Sequence, residues 1–78
     1  MSTAQLVTMA NDIAAFFAGA SDAGEASKNV AAHLRRYWDP SMRKQIVQYV
    51  RTDGDGLVPV ALAAVELLAS EQPRVSPR

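Results

Sequence analysis

Apolar residues recur at helical spacing along most of the chain, in four segments separated by turn or capping residues. In the first, between about Thr3 and Ala18, Leu6, Met9, Ala10, Ile13, Phe16 and Phe17 recur at steps of three and four. Ser2 precedes Gln5 by three residues, the spacing of a capping box in which each side chain binds the other's backbone N–H. Gly19, next to Ala20 and Ser21, supplies a stop. A second helix starts at Asp22, with Glu25 again at capping-box spacing, and carries the stripe Ala23, Ala26, Val30, Leu34, Tyr37 and Trp38. Those six positions fall within about 120° of a helical wheel. Asp39-Pro40 closes this helix, because the residue before a proline is pushed out of the α region. The same dipeptide opens a third, with Asp39 as N-cap and Pro40 at the first helical position. Met42, Ile46, Tyr49 and Val50 make its inner stripe, Asp53-Gly54-Asp55-Gly56 turns the chain, and a fourth helix runs from Pro59 to about Ser70.

This pattern predicts an all-α fold, a small orthogonal or up-down bundle of three to four short helices. It predicts a single helical domain over residues 1–71 and a disordered C-terminal tail over 72–78, where two prolines and two arginines fall. The expected core is Ile13, Phe17, Val30, Leu34, Met42, Ile46 and Leu68, with Trp38 buried at the Asp39-Pro40 corner. On this reading Asp39→Ala costs about 0.5–2 kcal/mol through loss of an N-cap.

The apolar residues are unevenly shared. The fourth segment is apolar nearly all round, with Val60, Ala61, Leu62, Ala64, Val65, Leu67, Leu68 and Ala69 against Glu66, Ser70 and Ala63. A helix of that kind is normally buried, and a domain this small is not expected to surround one of its own. The surplus, represented by Leu62 and Val65, is therefore expected at an interface with another chain or a second copy.

Composition narrows the chemistry. The chain has 78 residues and no cysteine, which removes disulfide staples, thiolate-held iron–sulfur clusters and Cys-type zinc sites. Without a staple, a core of this size contributes only about 3–5 kcal/mol. His33 is the only histidine, so no typical transition-metal site and no Ser–His–Asp arrangement is legible. The Asp53–Gly56 turn lacks the further ligands and closing Glu of a calcium loop. No glycine pattern cradles phosphate, and no apolar run or basic leader indicates a membrane span or signal peptide. The expectation is a cytoplasmic, cofactor-free binding subunit with no catalytic, cofactor or metal site of its own.

Charge is zero overall but unevenly placed: between Lys28 and Arg51 lie six basic residues and one acid, Asp39. Arg35 and Arg36 immediately precede Tyr37-Trp38, and Arg43 follows Pro40 by three. This forms either the solvated faces of two helices or a basic, aromatic-edged ridge that meets an acidic patch on a partner. Arg and Trp are enriched at interface hot spots, so Arg35, Arg36, Trp38 and Arg43 join Leu62 and Val65 as candidate partner-binding residues. Nucleic acid is disfavoured, because the net charge is zero and no nucleic-acid motif is present.

The segment His33-Leu34-Arg35-Arg36-Tyr37-Trp38-Asp39-Pro40-Ser41-Met42-Arg43 resembles the H-L-x-x-F/Y-W-D/E-P-x-M-R stretch of the delta subunits of soluble NAD-dependent formate dehydrogenases. Met9-Ala10-Asn11-Asp12-Ile13-Ala14-Ala15-Phe16-Phe17 is similar to the opening of that family, and Gly56-Leu57-Val58-Pro59 to its close. The likeness spans roughly residues 5–69 and departs at Tyr37, where Phe is common, and at Ser41, where a basic residue is common. It implies a non-catalytic accessory subunit of a molybdenum- or tungsten-dependent enzyme. In that enzyme the alpha subunit carries the pterin and iron–sulfur clusters, and the beta and gamma subunits carry flavin, NAD and further clusters. The alpha, catalytic subunit is the implied partner, and assembly, cofactor insertion or stability of the complex the implied role. A free-standing helical adaptor or regulator, as a homodimer binding an acidic protein or nucleic acid through the basic ridge, is the alternative from a different class.

Overall fold

The computed structural model describes residues 2–19 and 22–71. Within them lie four helices: α1 (Thr3–Ala18), α2 (Ala23–Tyr37), α3 (Pro40–Thr52) and α4 (Pro59–Glu71). Each begins where the capping residues place it. The Ser2–Gln5 box is complete: the Gln5 N–H donates to Ser2 Oγ at 3.1 Å, and the Ser2 N–H donates to Gln5 Oε1 at 3.2 Å. At α2 the Glu25 N–H donates to Asp22 Oδ1 at 2.9 Å. The predicted tail over 72–78 lies outside the described residues.

One cluster joins all four helices: Leu6, Ala10 and Ala14 of α1, Val30, Ala31 and Leu34 of α2, Ile46 and Val47 of α3, and Ala61, Ala64, Val65 and Leu68 of α4, with Trp38 at the α2 end. Of the expected core, Val30, Leu34, Ile46 and Leu68 are buried, whereas Ile13, Phe17 and Met42 are half-buried against the cluster. The innermost layer is instead rich in alanine, with Ala10, Ala14, Ala26, Ala31, Ala61 and Ala64 all at most 1% exposed. Small side chains let helix axes approach closely, which pushes the larger neighbours to the edge of the contact.

α4 occupies the middle. It packs most extensively on α2 and also touches α3 and α1. α2 and α3, although consecutive, barely meet. The expectation that α4 would leave a surplus of apolar surface is thus corrected. Its apolar residues are all buried or half-buried, because three helices surround it rather than one flanking layer. Among the hydrophobics, Phe16, Tyr37 and Val58 are the large ones left exposed. Tyr37 belongs to the α2 stripe, whereas Phe16 lies outside the expected core. Ala23, also in the α2 stripe, is exposed.

Two joints set this arrangement. At the α2–α3 corner Trp38 is the C-cap residue of α2 and is 5% exposed. Its N–H donates to Leu34 O at 3.0 Å, and Arg43 Nη1 donates to Arg35 O at 3.1 Å and to Trp38 O. A guanidinium from the first turn of α3 therefore binds the orphan carbonyls at the end of α2, where the helix dipole also favours a cation. Asp39 does stand at the N-cap of α3, before Pro40, but its side chain makes no capping hydrogen bond.

At the α3–α4 turn Gly54 and Gly56 adopt φ of 78° and 91°, conformations that favour glycine. The Tyr49 hydroxyl donates to Asp55 O at 2.6 Å. From α1, Asn11 Nδ2 donates to Gly56 O at 2.8 Å while Asn11 Oδ1 accepts the Val58 N–H at 2.9 Å. One amide thus stands in for two backbone partners and ties the start of α4 to α1. Ser27 adds a link across α2–α4, its hydroxyl donating to Ala23 O at 3.0 Å and reaching Val60 O at 3.4 Å.

Three outcomes check these joints. In denaturant unfolding, Trp38→Ala is expected to cost about 3–5 kcal/mol. Asp39→Ala should cost no more than about 0.5 kcal/mol, because no cap bond is lost; comparable losses from both would refute the corner described above. Asn11→Ala should cost about 1–2 kcal/mol, two modest hydrogen bonds to the 53–58 turn, measurable by the same method. The Tyr49 phenol is raised above its ordinary value of 10.0, first by desolvation and then by the Asp53 and Asp55 carboxylates. Its protonated form is thus favoured in the folded state. The associated stability is present below the ordinary value and lost as pH rises through the higher folded one. A spectrophotometric alkaline titration should show one tyrosine ionising late, and Tyr49→Phe should abolish that component.

Candidate docking surface

The six candidate contact residues do not form one surface. Val65 is fully buried and Trp38 is 5% exposed, so neither offers area to a partner. Leu62 is half-buried, with its Cδ1 near Gly54. The basic ridge is divided. Arg35 is engaged by α4, its Nε and Nη2 donating to Glu71 Oε1 and Oε2, each at 2.8 Å. Both side chains remain nearly half exposed, so this bidentate pair stabilises by at most about 1 kcal/mol. Arg43 is spent on the α2 carbonyls. Arg36 is exposed and lies over the Tyr37 ring, 5.7 Å from its centroid.

From Arg36 a series of four rings runs back across α2 and α1. His33 and Tyr37 are one turn apart on α2, and their rings lie 4.7 Å apart. His33 meets Phe17 of α1 edge-on at 6.1 Å, and Phe17 meets Phe16 in a T-shaped contact at 5.1 Å. Phe16 is 75% and Tyr37 66% exposed. The His33 ring thus serves as a bridge between aromatic side chains of two helices. Two adjacent phenylalanines near the end of α1, 100° apart on the helix, were the available signal: together with the rest of that segment they make a wide apolar arc, whose edge is left at the surface. An open concavity of about 330 Å³ is lined by Ala4, Gln5, Thr8 and Met9 of α1. Among the described residues no three His, Cys, Asp or Glu side chains are grouped to hold a metal ion, and no helix is long and apolar enough to cross a membrane.

The segment bearing the sequence resemblance proves to be mainly the α2–α3 corner, built from buried Trp38, the Pro40 helix start and Arg43. No curated protein and no solved structure matches the chain. The profile of the family described as "NADH-dependant formate dehydrogenase delta subunit FdsD" matches residues 5–65, which take in the corner, the Asn11 joint and every ring of the aromatic surface. The chain belongs to this family of formate dehydrogenase delta subunits and is an accessory subunit of that NAD-dependent enzyme.

Proposed function

We propose that the chain is a non-catalytic subunit that docks on the alpha, catalytic subunit of a cytoplasmic molybdenum- or tungsten-dependent formate dehydrogenase, and that it aids assembly, cofactor insertion or stability of the complex. Family membership over residues 5–65 is the observation that carries this reading. Two features of the molecule support it. The cysteine-free sequence has no thiolate with which to hold an electron-transfer cluster, so a contribution through binding is the economical role. An alanine-rich core in a chain this small also leaves little stability in reserve, and a partner that binds only the folded form supplies the rest by mass action.

Deleting the chain from the producing cell is expected to lower the yield of assembled enzyme or its metal and pterin content. Both can be measured on the purified complex beside its thermal stability. Unchanged yield, cofactor content and stability would refute the proposal, and formate oxidation by the isolated chain would overturn its non-catalytic part. The alpha subunit is tested separately by cross-linking the intact complex, where cross-links confined to beta or gamma would remove it as the docking partner.

A further inference from the structure

The exposed apolar surface is concentrated. Of the large exposed hydrophobics Phe16, Tyr37 and Val58, the first two belong to the ring series Phe16–Phe17–His33–Tyr37, which runs across α1 and α2 and ends under the Arg36 guanidinium. Resting on the proposed function, we propose that this aromatic ladder is the seat for a segment of another formate dehydrogenase subunit that presents an apolar side chain beside a carboxylate.

The apolar half follows from area and rigidity. Each aromatic ring offers roughly 150–250 Å² at a small cost in rotamer freedom, and its neighbours already hold it, edge-on for Phe16 and tilted for Tyr37, before any partner arrives. Phe16 at 75% and Tyr37 at 66% exposure keep most of that area for a partner. The carboxylate half follows from the fate of the charges. Arg35 is paired with Glu71 and the Arg43 guanidinium is held against backbone carbonyls at the α2–α3 corner, whereas Arg36 makes no ion pair among the described residues and lies exposed over a ring. The acids of its own helix, Asp22 and Glu25, stand at the other end of α2, and Asp39, three residues beyond Arg36 at the corner, is exposed and forms no ion pair with it. Glu25 is eleven residues away, about 16 Å along the axis, beyond a Debye length at physiological salt. Asp12 precedes Phe16 by one turn on α1, so negative charge stands at the Phe16 end of the ladder and positive charge at the Tyr37 end. A partner carboxylate therefore fits beside Arg36, with the apolar side chain over the rings. Arg and Tyr together in a solvent-shielded contact are typical of hot spots.

The test measures binding of the full chain to formate dehydrogenase prepared without it, with helicity and thermal unfolding of the isolated chain as a fold control. Phe16→Asp with Tyr37→Asp should weaken binding by about 30-fold or more, while Val58→Asp, exposed but outside the ladder, leaves it unchanged. Arg36→Glu should weaken binding and flatten its dependence on salt. If the aspartates disturb the fold, Phe16→Ser with Tyr37→Ser carries the same expectation. A folded double variant that binds like the wild type overturns the seat. Undiminished binding and salt dependence in Arg36→Glu overturns the carboxylate. A wild-type dimer that the double variant converts to monomer, with binding to the enzyme intact, overturns the assignment in favour of a second copy. A wild-type chain that binds no formate dehydrogenase subunit refutes the proposed function itself, an outcome distinct from loss of the seat alone.

Discussion

The need to cover α4 organises the rest of the molecule. That helix has apolar residues on nearly every face, and in water each uncovered face would cost free energy in proportion to its area. α2 takes the largest share, and α3 and α1 close around what remains. Close approach is possible because Ala61 and Ala64 of α4 are matched by Ala26 and Ala31 of α2 and Ala10 and Ala14 of α1. The alanines contribute little transfer free energy each. They act by letting the larger Leu6, Val30, Leu34, Ile46, Val65 and Leu68 make contacts on several sides at once.

The joints serve that packing. If α2 and α3 formed a tight hairpin they would cover each other and leave α4 exposed. Trp38 and Arg43 instead hold them apart at a corner, and the resulting gap is where α4 fits. The guanidinium acts here as a helix cap with reach. It binds carbonyls that a splayed helix end would otherwise leave to water. Asn11 performs the matching task at the opposite joint, holding the 53–58 turn against α1 so that α4 returns beneath it. Polar side chains thus fix direction while alanine fixes distance. The two basic residues committed to these internal tasks, Arg35 and Arg43, leave Arg36 as the member of the group that faces outward with an aromatic neighbour.

Much of this was legible before any coordinates. The four helices begin and end close to their capping and proline signals, because those signals act through bonds within four residues of one another. Burial of Trp38 was legible from its place beside a proline-marked corner. The candidate site was legible only in part. Arg36 was identified, but Arg43, a candidate partner contact by sequence, binds its own corner, and Trp38, a candidate contact as well as an expected buried residue, fills that corner. Tyr37 shares a stripe with Val30, Leu34 and Trp38, which are buried, yet it faces outward beside Arg36, and Phe16 lies outside the expected core. Asn11, which bonds 45 and 47 residues along the sequence, stood out only as a polar residue in an apolar segment and as a member of the Met9–Phe17 resemblance, neither of which shows what it binds.

The sequence by itself determined the helices, the caps of α1 and α2, the two turns and the identity of the family, since each rests on local backbone chemistry or on a contiguous motif. Only the tertiary structure decided which faces became surface. A wheel shows where side chains point on one helix but not how many neighbours that helix acquires. The fate of α4 depended on three contacts formed at long range. For the same reason three nearby arginines took three different roles. Their partners were a carboxylate on α4, carbonyls at the end of α2 and an adjacent ring, and folding alone brought the first two within reach.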